Sequence, residues 1–173
     1  MATTFSRIYT IIQKFPKGNG WMDRHNFLLN FRKRKLKEFK IRGDGSSIDD
    51  YMKEESINNL LLLMRSLELI DVTSNGQVKI TDKGLKCKNA EDIYMKQLKS
   101  SIKSYFEKKD IPMNKILEVG KSIQYPDVPN ADTVYNLIAT PQQGISEDHF
   151  RKMLYLYSCA GGIERKMRVH YLF

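Results

Sequence analysis

The sequence predicts a mostly helical α+β chain in which short β-hairpins follow helices, organised as two similar halves. Three observations carry that expectation. Residues 55–84 read EESINNLLLLMRSLELI, then DVTSNGQVKIT, then DKG, an apolar helix running straight into a two-stranded ribbon. Residues 146–173 follow a similar order: an amphipathic helix, a Gly161-Gly162 stop and an alternating tail. Finally, 173 residues with 41% hydrophobic content can bury one medium core or two small ones.

At the N-terminus, Phe5, Ile8, Ile12 and Phe15 recur at steps of three and four, the spacing of an amphipathic helix. Thr4 suits its start, and Pro16 with Gly18-Asn19-Gly20 ends it. A second helical pattern begins near Asp23, sets Phe27, Leu28, Phe31 and Leu36 on one side, and carries the run RKRKLKEFKIR over 32–42. Gly43 to Ser47 break it, and Ser47 with Asp50 makes a capping-box-like restart near Tyr51. The third helix has a core stripe of Ile57, Leu60, Leu61, Met64 and Leu67, widened by Leu62 and Leu63. The hairpin follows without a linker. Asn75-Gly76 suits a two-residue type I′ turn, in which both residues need φ > 0, and Val78 and Ile80 alternate with polar neighbours.

A helix from Ala90 to about Lys109, with Tyr94, Leu98, Ile102 and Tyr105 on its apolar positions, reads as a connector. Beyond Pro112 come a helix over Met113 to Ile123, the loop YPDVP, a short helix over Ala131 to Ala139, and a helix opened by Ser146 with Phe150, Met153, Leu154 and Tyr157 inward. In the tail ERKMRVHYLF, Met167, Val169, Tyr171 and Phe173 face one way and Lys166, Arg168 and His170 the other, as in one strand. The expected division is therefore a first domain over 1–88, a connector over 89–110 and a second domain over 111–173. The last is one strand short of a hairpin, so either its strand pairs with a neighbour elsewhere or the chain is truncated, with a further domain or protein after Phe173; the second is favoured slightly.

A net charge of +9 and a pI near 9.5 point to a polyanionic partner, nucleic acid before an acidic membrane surface. No run of about 18 apolar residues offers a membrane span, and MATTFSRIYTIIQKF does not read as a signal peptide. Cys87 and Cys159 form no metal-binding spacing and no disulfide framework, which suggests a reducing, cytoplasmic setting. No phosphate-binding glycine motif is present, His25, His149 and His170 sit in unrelated contexts, and neither a cofactor nor a metal is expected. Asp71 with Gln77-Val78-Lys79 loosely imitates a nuclease's acid-x-Lys strand, but no second carboxylate stands nearby, so no catalytic residue is assigned. Trp21 is expected to anchor the core.

Readout of duplex DNA needs a protruding helix carrying Asn or Gln for adenine and Arg for guanine. Asn58, Asn59 and Arg65 meet that need on the 56–66 helix, with Ser56 at its start suited to a phosphate. Leu62, between them, fits burial against protein, or a thymine methyl. The basic residues Arg32, Lys33, Arg34, Lys35, Lys37, Lys40 and Arg42 suit phosphates, which position a protein without carrying sequence information. Asn75, Lys79 and Lys83 on the hairpin could add backbone or minor-groove contacts. Arg151, Lys152, Arg165, Lys166 and Arg168 could extend the footprint into the second half.

Residues Glu55 to Gly84 resemble the recognition helix and wing of the winged helix-turn-helix superfamily, and ITDKG over Ile80 to Gly84 is similar to the strand exit common in its bacterial members. The segment AEDIYMKQL, Ala90 to Leu98, is similar to one after the wing in recognition domains of some type IIS restriction endonucleases. The resemblance implies a tandem winged helix-turn-helix, prokaryotic and cytoplasmic, that reads a short stretch of double-stranded DNA without catalysing a reaction. It further implies that a restriction endonuclease of a restriction-modification system is a reasonable parent. Tandem winged helices also serve as protein-interaction adaptors in chromosome-partition and transcription complexes, which is the alternative.

Overall fold

The computed structural model describes residues 4–16, 20–27, 54–124, 127–165 and 171–173. The chain divides into two compact units, Met1–Ala90 and Glu91–Phe173. Its architecture is α+β: helices dominate, and a small antiparallel sheet of three strands lies in the first unit. Among the described residues, no helix is long and apolar enough to cross a membrane.

In the first unit, helix α1 (Thr4–Lys14) buries Ile8, Ile11 and Ile12, and Phe15 follows them into the core. Strand β1 (Met22–Asp23) comes next. The Asp23 carboxylate then accepts the Asn26 N–H at 2.8 Å, starting a helical turn over 24–27 whose Phe27 ring packs on Phe15 at 4.5 Å. Helix α2 (Glu54–Ser66) buries Leu60, Leu61, Leu63 and Met64. The hairpin of β2 (Ile70–Val72) and β3 (Gln77–Ile80) adds Ile70, Val78 and Ile80 to the same core. Each such side chain contributes about 2 kcal/mol on leaving water. The sheet order is β1-β3-β2, so the strand between the first two helical segments closes onto the far strand of the hairpin.

The passage from α2 into β2 is the tightest feature of this unit. Glu68 is left-handed, with φ of 57°. Its N–H donates to Arg65 O at 2.9 Å, and the Leu69 N–H reaches back to Met64 O at 2.9 Å. These two bonds define a Schellman motif, and both Met64 and Leu69 are buried. Thr81 holds the same turn from the other side. Its hydroxyl donates to Glu68 O at 2.7 Å and accepts the Gly84 N–H at 3.1 Å, while its own N–H donates to Leu69 O. Thr81 thereby caps α3 (Asp82–Lys86), and the Lys83 ammonium pairs with the Glu68 carboxylate. A Cβ at Gly84 would lie 2.2 Å from Leu69 O, so the helix can approach the turn only without a side chain there.

The hairpin departs from the two-residue turn expected at Asn75-Gly76. Gly76 is left-handed, with φ of 80°, but Asn75 is not. The Gly76 N–H donates to Thr73 O at 3.2 Å and the Thr73 N–H to Gln77 O at 3.0 Å, leaving Ser74, Asn75 and Gly76 as a three-residue loop. Register explains the choice. This loop pairs Ile70 with Ile80 and Val72 with Val78. A two-residue loop would set Val72 against Lys79, a slip that turns one strand's apolar face to solvent.

In the second unit, α4 (Glu91–Glu107) buries Tyr94, Leu98, Ile102 and Phe106. The segment read as a connector thus contributes a core helix: Phe106 meets Phe150 edge-on at 5.2 Å. Asp110, with φ of 54°, ends that helix in a second Schellman motif through Ile111 N–H to Phe106 O. Helices α5 (Met113–Ser122), α6 (Ala131–Ile138) and α7 (Glu147–Cys159) follow, with Asn130 and Ser146 capping the last two. Gly161, with φ of 72°, ends α7 in a third such motif: Gly162 N–H to Tyr157 O and Gly161 N–H to Ser158 O.

The tail, expected to be a single strand, is two: β4 (Glu164–Arg165) pairs antiparallel with β5 (Tyr171–Leu172). Asn130 forms an isolated bridge, and the Tyr171 N–H donates to Pro129 O at 3.0 Å, so the segment before α6 lies against β5. Tyr171 is buried and its ring packs on Phe173, whose ring lies against Gly120 of α5. Side-chain alternation alone does not reveal such a reversal.

The left-handed Glu68 has a testable cost. Replacing Glu68 with Gly or with Ala removes the Lys83 ion pair in both cases, but only Ala keeps a Cβ at positive φ. Urea unfolding is expected to show Glu68→Gly more stable than Glu68→Ala by about 1 kcal/mol. Equal midpoints would mean that the turn is not strained.

Candidate nucleic-acid interface

Burial of Leu60, Leu61, Leu63 and Met64 decides which side of α2 remains outside. Asn59, Leu62 and Arg65 are exposed and lie three residues apart, so they form one outward stripe. Leu62 keeps 52% of its surface in solvent. Its expected place in a widened core stripe therefore holds for Leu63 and not for Leu62. The side chains of Arg65 and Asn59 make no hydrogen bond or ion pair among the described residues.

Asn58 has another task. Its side-chain oxygen accepts the Arg24 Nε–H at 3.0 Å, and the Arg24 backbone N–H donates to Gly76 O at 2.9 Å. Arg24 thus ties the 24–27 turn to both α2 and the hairpin loop. Sequence reasoning missed Arg24, because a lone arginine after a capping aspartate carries no signal of where its guanidinium goes. With its oxygen engaged, Asn58 positions the helix, and Asn59 is the amide left for a ligand.

On the hairpin, Lys79 stands opposite Asp71 in the ladder, and its ammonium lies 5.4 Å from the centre of the Trp21 ring. Trp21, expected in the core, is 45% exposed, because it immediately precedes the edge strand β1. Asn75 sits at the exposed loop, where its side-chain oxygen accepts the Thr73 hydroxyl. Lys83 is turned to the α2–β2 junction through Glu68. Arg32, Lys33, Arg34, Lys35, Lys37, Lys40 and Arg42 lie outside the described residues, as does the side chain of Ser56. Their charges still weigh on the first unit: residues 1–90 carry 17 Lys and Arg against 10 Asp and Glu, and residues 91–173 carry 12 against 10. The positive excess belongs to the first unit.

The corresponding surface of the second unit is electrically matched. On α7, Arg151 pairs with Asp132 at 2.8 Å and with Glu147 at 2.7 Å, and Lys152 pairs with Asp148 at 2.6 Å. Exposed pairs of this kind contribute little stability, but with three carboxylates against two cations they leave no positive charge for a phosphate. The side chains of Arg165, Lys166 and Arg168 lie outside the described residues. Among the described residues, no group of three or more His, Cys, Asp and Glu gathers as a metal site. Cys87 is buried, which pushes its thiol up to about 11 and leaves it protonated at neutral pH.

Comparison with protein-family models, curated proteins and solved structures returns no match.

His149 on α7 couples the stability of the second unit to pH. Burial lowers its pKa below 6.5, with Lys152 and Lys109 adding to the effect and Asp148 opposing it. Its Nε2 is buried without a partner beside the Tyr105 ring. Above pH 6.5 the folded and unfolded histidines are both neutral. Below it the unfolded chain takes up the proton first, so stability is lost as pH falls toward the lowered folded value. Thermal unfolding is expected to show a falling midpoint below pH 6.5 in the wild type and a flatter profile in His149→Phe. The same slope in both would remove His149 as the cause.

Proposed function

We propose that this chain is a non-catalytic duplex-DNA-binding module built from two winged helix-turn-helix units, with the first unit supplying the grip. The observation that carries the reading is the way α2 runs into its hairpin. The strand before the second helix pairs with the hairpin's far strand, and Asn59, Leu62 and Arg65 are left facing out. A helix beside a two-stranded wing is an arrangement that can enter a groove and grip the flanking backbone together.

The second unit supports the tandem reading by repeating the order. There α5, the Asn130 bridge, α6, α7, β4 and β5 correspond to α1, β1, the 24–27 turn, α2, β2 and β3. Both α2 and α7 also end in a left-handed residue that leads to a hairpin. In the first unit, Asn59 and Arg65 are the base-reading candidates, Lys79 and Asn75 the wing contacts, and the 32–42 cations the phosphate contacts. The similarity of Ala90 to Leu98 to a segment of restriction-endonuclease recognition domains is in keeping with such a recognition role.

A second reading, a protein-interaction adaptor, is favoured by one observation: the α7 surface is charge-matched. It applies to the second unit alone, and the charge excess of the first favours a polyanion.

Fluorescence anisotropy on random duplexes across a salt series tests the proposal. Several phosphate contacts give a log–log slope of about −4 or steeper, and Lys79→Ala is expected to reduce that slope by about 1. The duplex is expected to remain intact with Mg²⁺ present. Absence of binding at low salt would end the DNA reading, and cleavage would end the non-catalytic one.

A further inference from the structure

The outward stripe of α2 carries information about which bases it would meet. Asn59, Leu62 and Arg65 stand three residues apart, all exposed, with the core side chains directly behind them. At 1.5 Å per residue the stripe spans about 9 Å along the helix, roughly three base-pair steps. Its chemistry is an amide, an isobutyl group and a guanidinium. The amide and the guanidinium have no partner among the described residues. The apolar member lies between them and not at an end of the stripe. An isolated exposed leucine is ordinary. One held between two unpartnered hydrogen-bonding side chains, on the unit that carries the positive excess, complements a major groove, where a methyl group lies among donors and acceptors.

Resting on the DNA-binding reading above, we infer that Leu62 is a specificity-determining residue that reads the 5-methyl group of a thymine. Asn59 is placed for a neighbouring adenine and Arg65 for a guanine. Asn58 is not placed for the two-point amide contact with adenine, because Arg24 holds its oxygen. The contact uses only apolar surface, so it adds specificity and leaves the salt dependence of binding unchanged.

The test uses the full 173-residue chain. Its preferred duplex is enriched from a random library, and each thymine is then replaced by deoxyuridine, which lacks only the 5-methyl group. At one thymine the exchange is expected to weaken binding by roughly fourfold, the worth of one buried methyl-sized group. Leu62→Ala is expected to bind the thymine and uracil duplexes equally, with the wild-type salt slope. Because Leu62 is exposed, this variant keeps its core, which circular dichroism checks. Indifference of the wild type to every uracil exchange overturns the inference, as does Leu62→Ala with undiminished uracil sensitivity. Equal binding of all duplexes also overturns it and leaves Leu62 to a protein contact, with DNA binding itself intact. Failure to bind any duplex overturns the DNA-binding reading first and this inference with it.

Discussion

The first unit depends on one backbone constraint: the chain must leave helix α2 and enter strand β2 within a few residues. It does so through Glu68 in the left-handed region, where a residue with a Cβ is unfavourable by about 1 kcal/mol. The surroundings over-determine that conformation. Two Schellman bonds, the Thr81 hydroxyl on Glu68 O, the Lys83 ion pair and the close approach of Gly84 all converge on residues 68 and 69. Each of the four residues Thr81-Asp82-Lys83-Gly84 lies in or beside this clamp. The orientation of α2 relative to its hairpin follows, and with it the side of α2 that stays in solvent.

The second unit solves the same problem after α7 with Gly161, which meets the left-handed requirement without a Cβ. The two units differ in surface. The first exposes Asn59, Leu62 and Arg65 and carries most of the net charge, whereas the second pairs the α7 cations Arg151 and Lys152 with acids from α6 and α7.

Much of the architecture was legible from periodicity. The apolar stripes of α1, α2 and α7 and the alternation of β3 each follow from where side chains point, and that is local. Long-range pairing was not legible. Strand β1 is two residues long and exists only because β3 lies beside it. The turn at Asn75-Gly76 was misread because register, set by Val72 facing Val78, outweighs the preference of a dipeptide. Trp21 was misplaced because it borders an edge strand, and the split of the tail was hidden because it rests on the pairing of Glu164 with Leu172 and Arg165 with Tyr171, which a side-chain pattern along one segment does not carry. At the candidate site, residue types pointed to α2 and the hairpin. Only coordinates distinguish Asn58, engaged by Arg24, from Asn59, which is open.

We propose that the α2 stripe and the hairpin loop of the first unit form the face that meets DNA. Titration of the isotope-labelled chain with a short duplex, followed by amide and side-chain NMR shifts, is the test. The largest shifts are expected to cluster at Asn59, Leu62 and Arg65 and over residues 74–79, with α7 of the second unit little changed. Shifts concentrated on α7, with the α2 stripe silent, would contradict it.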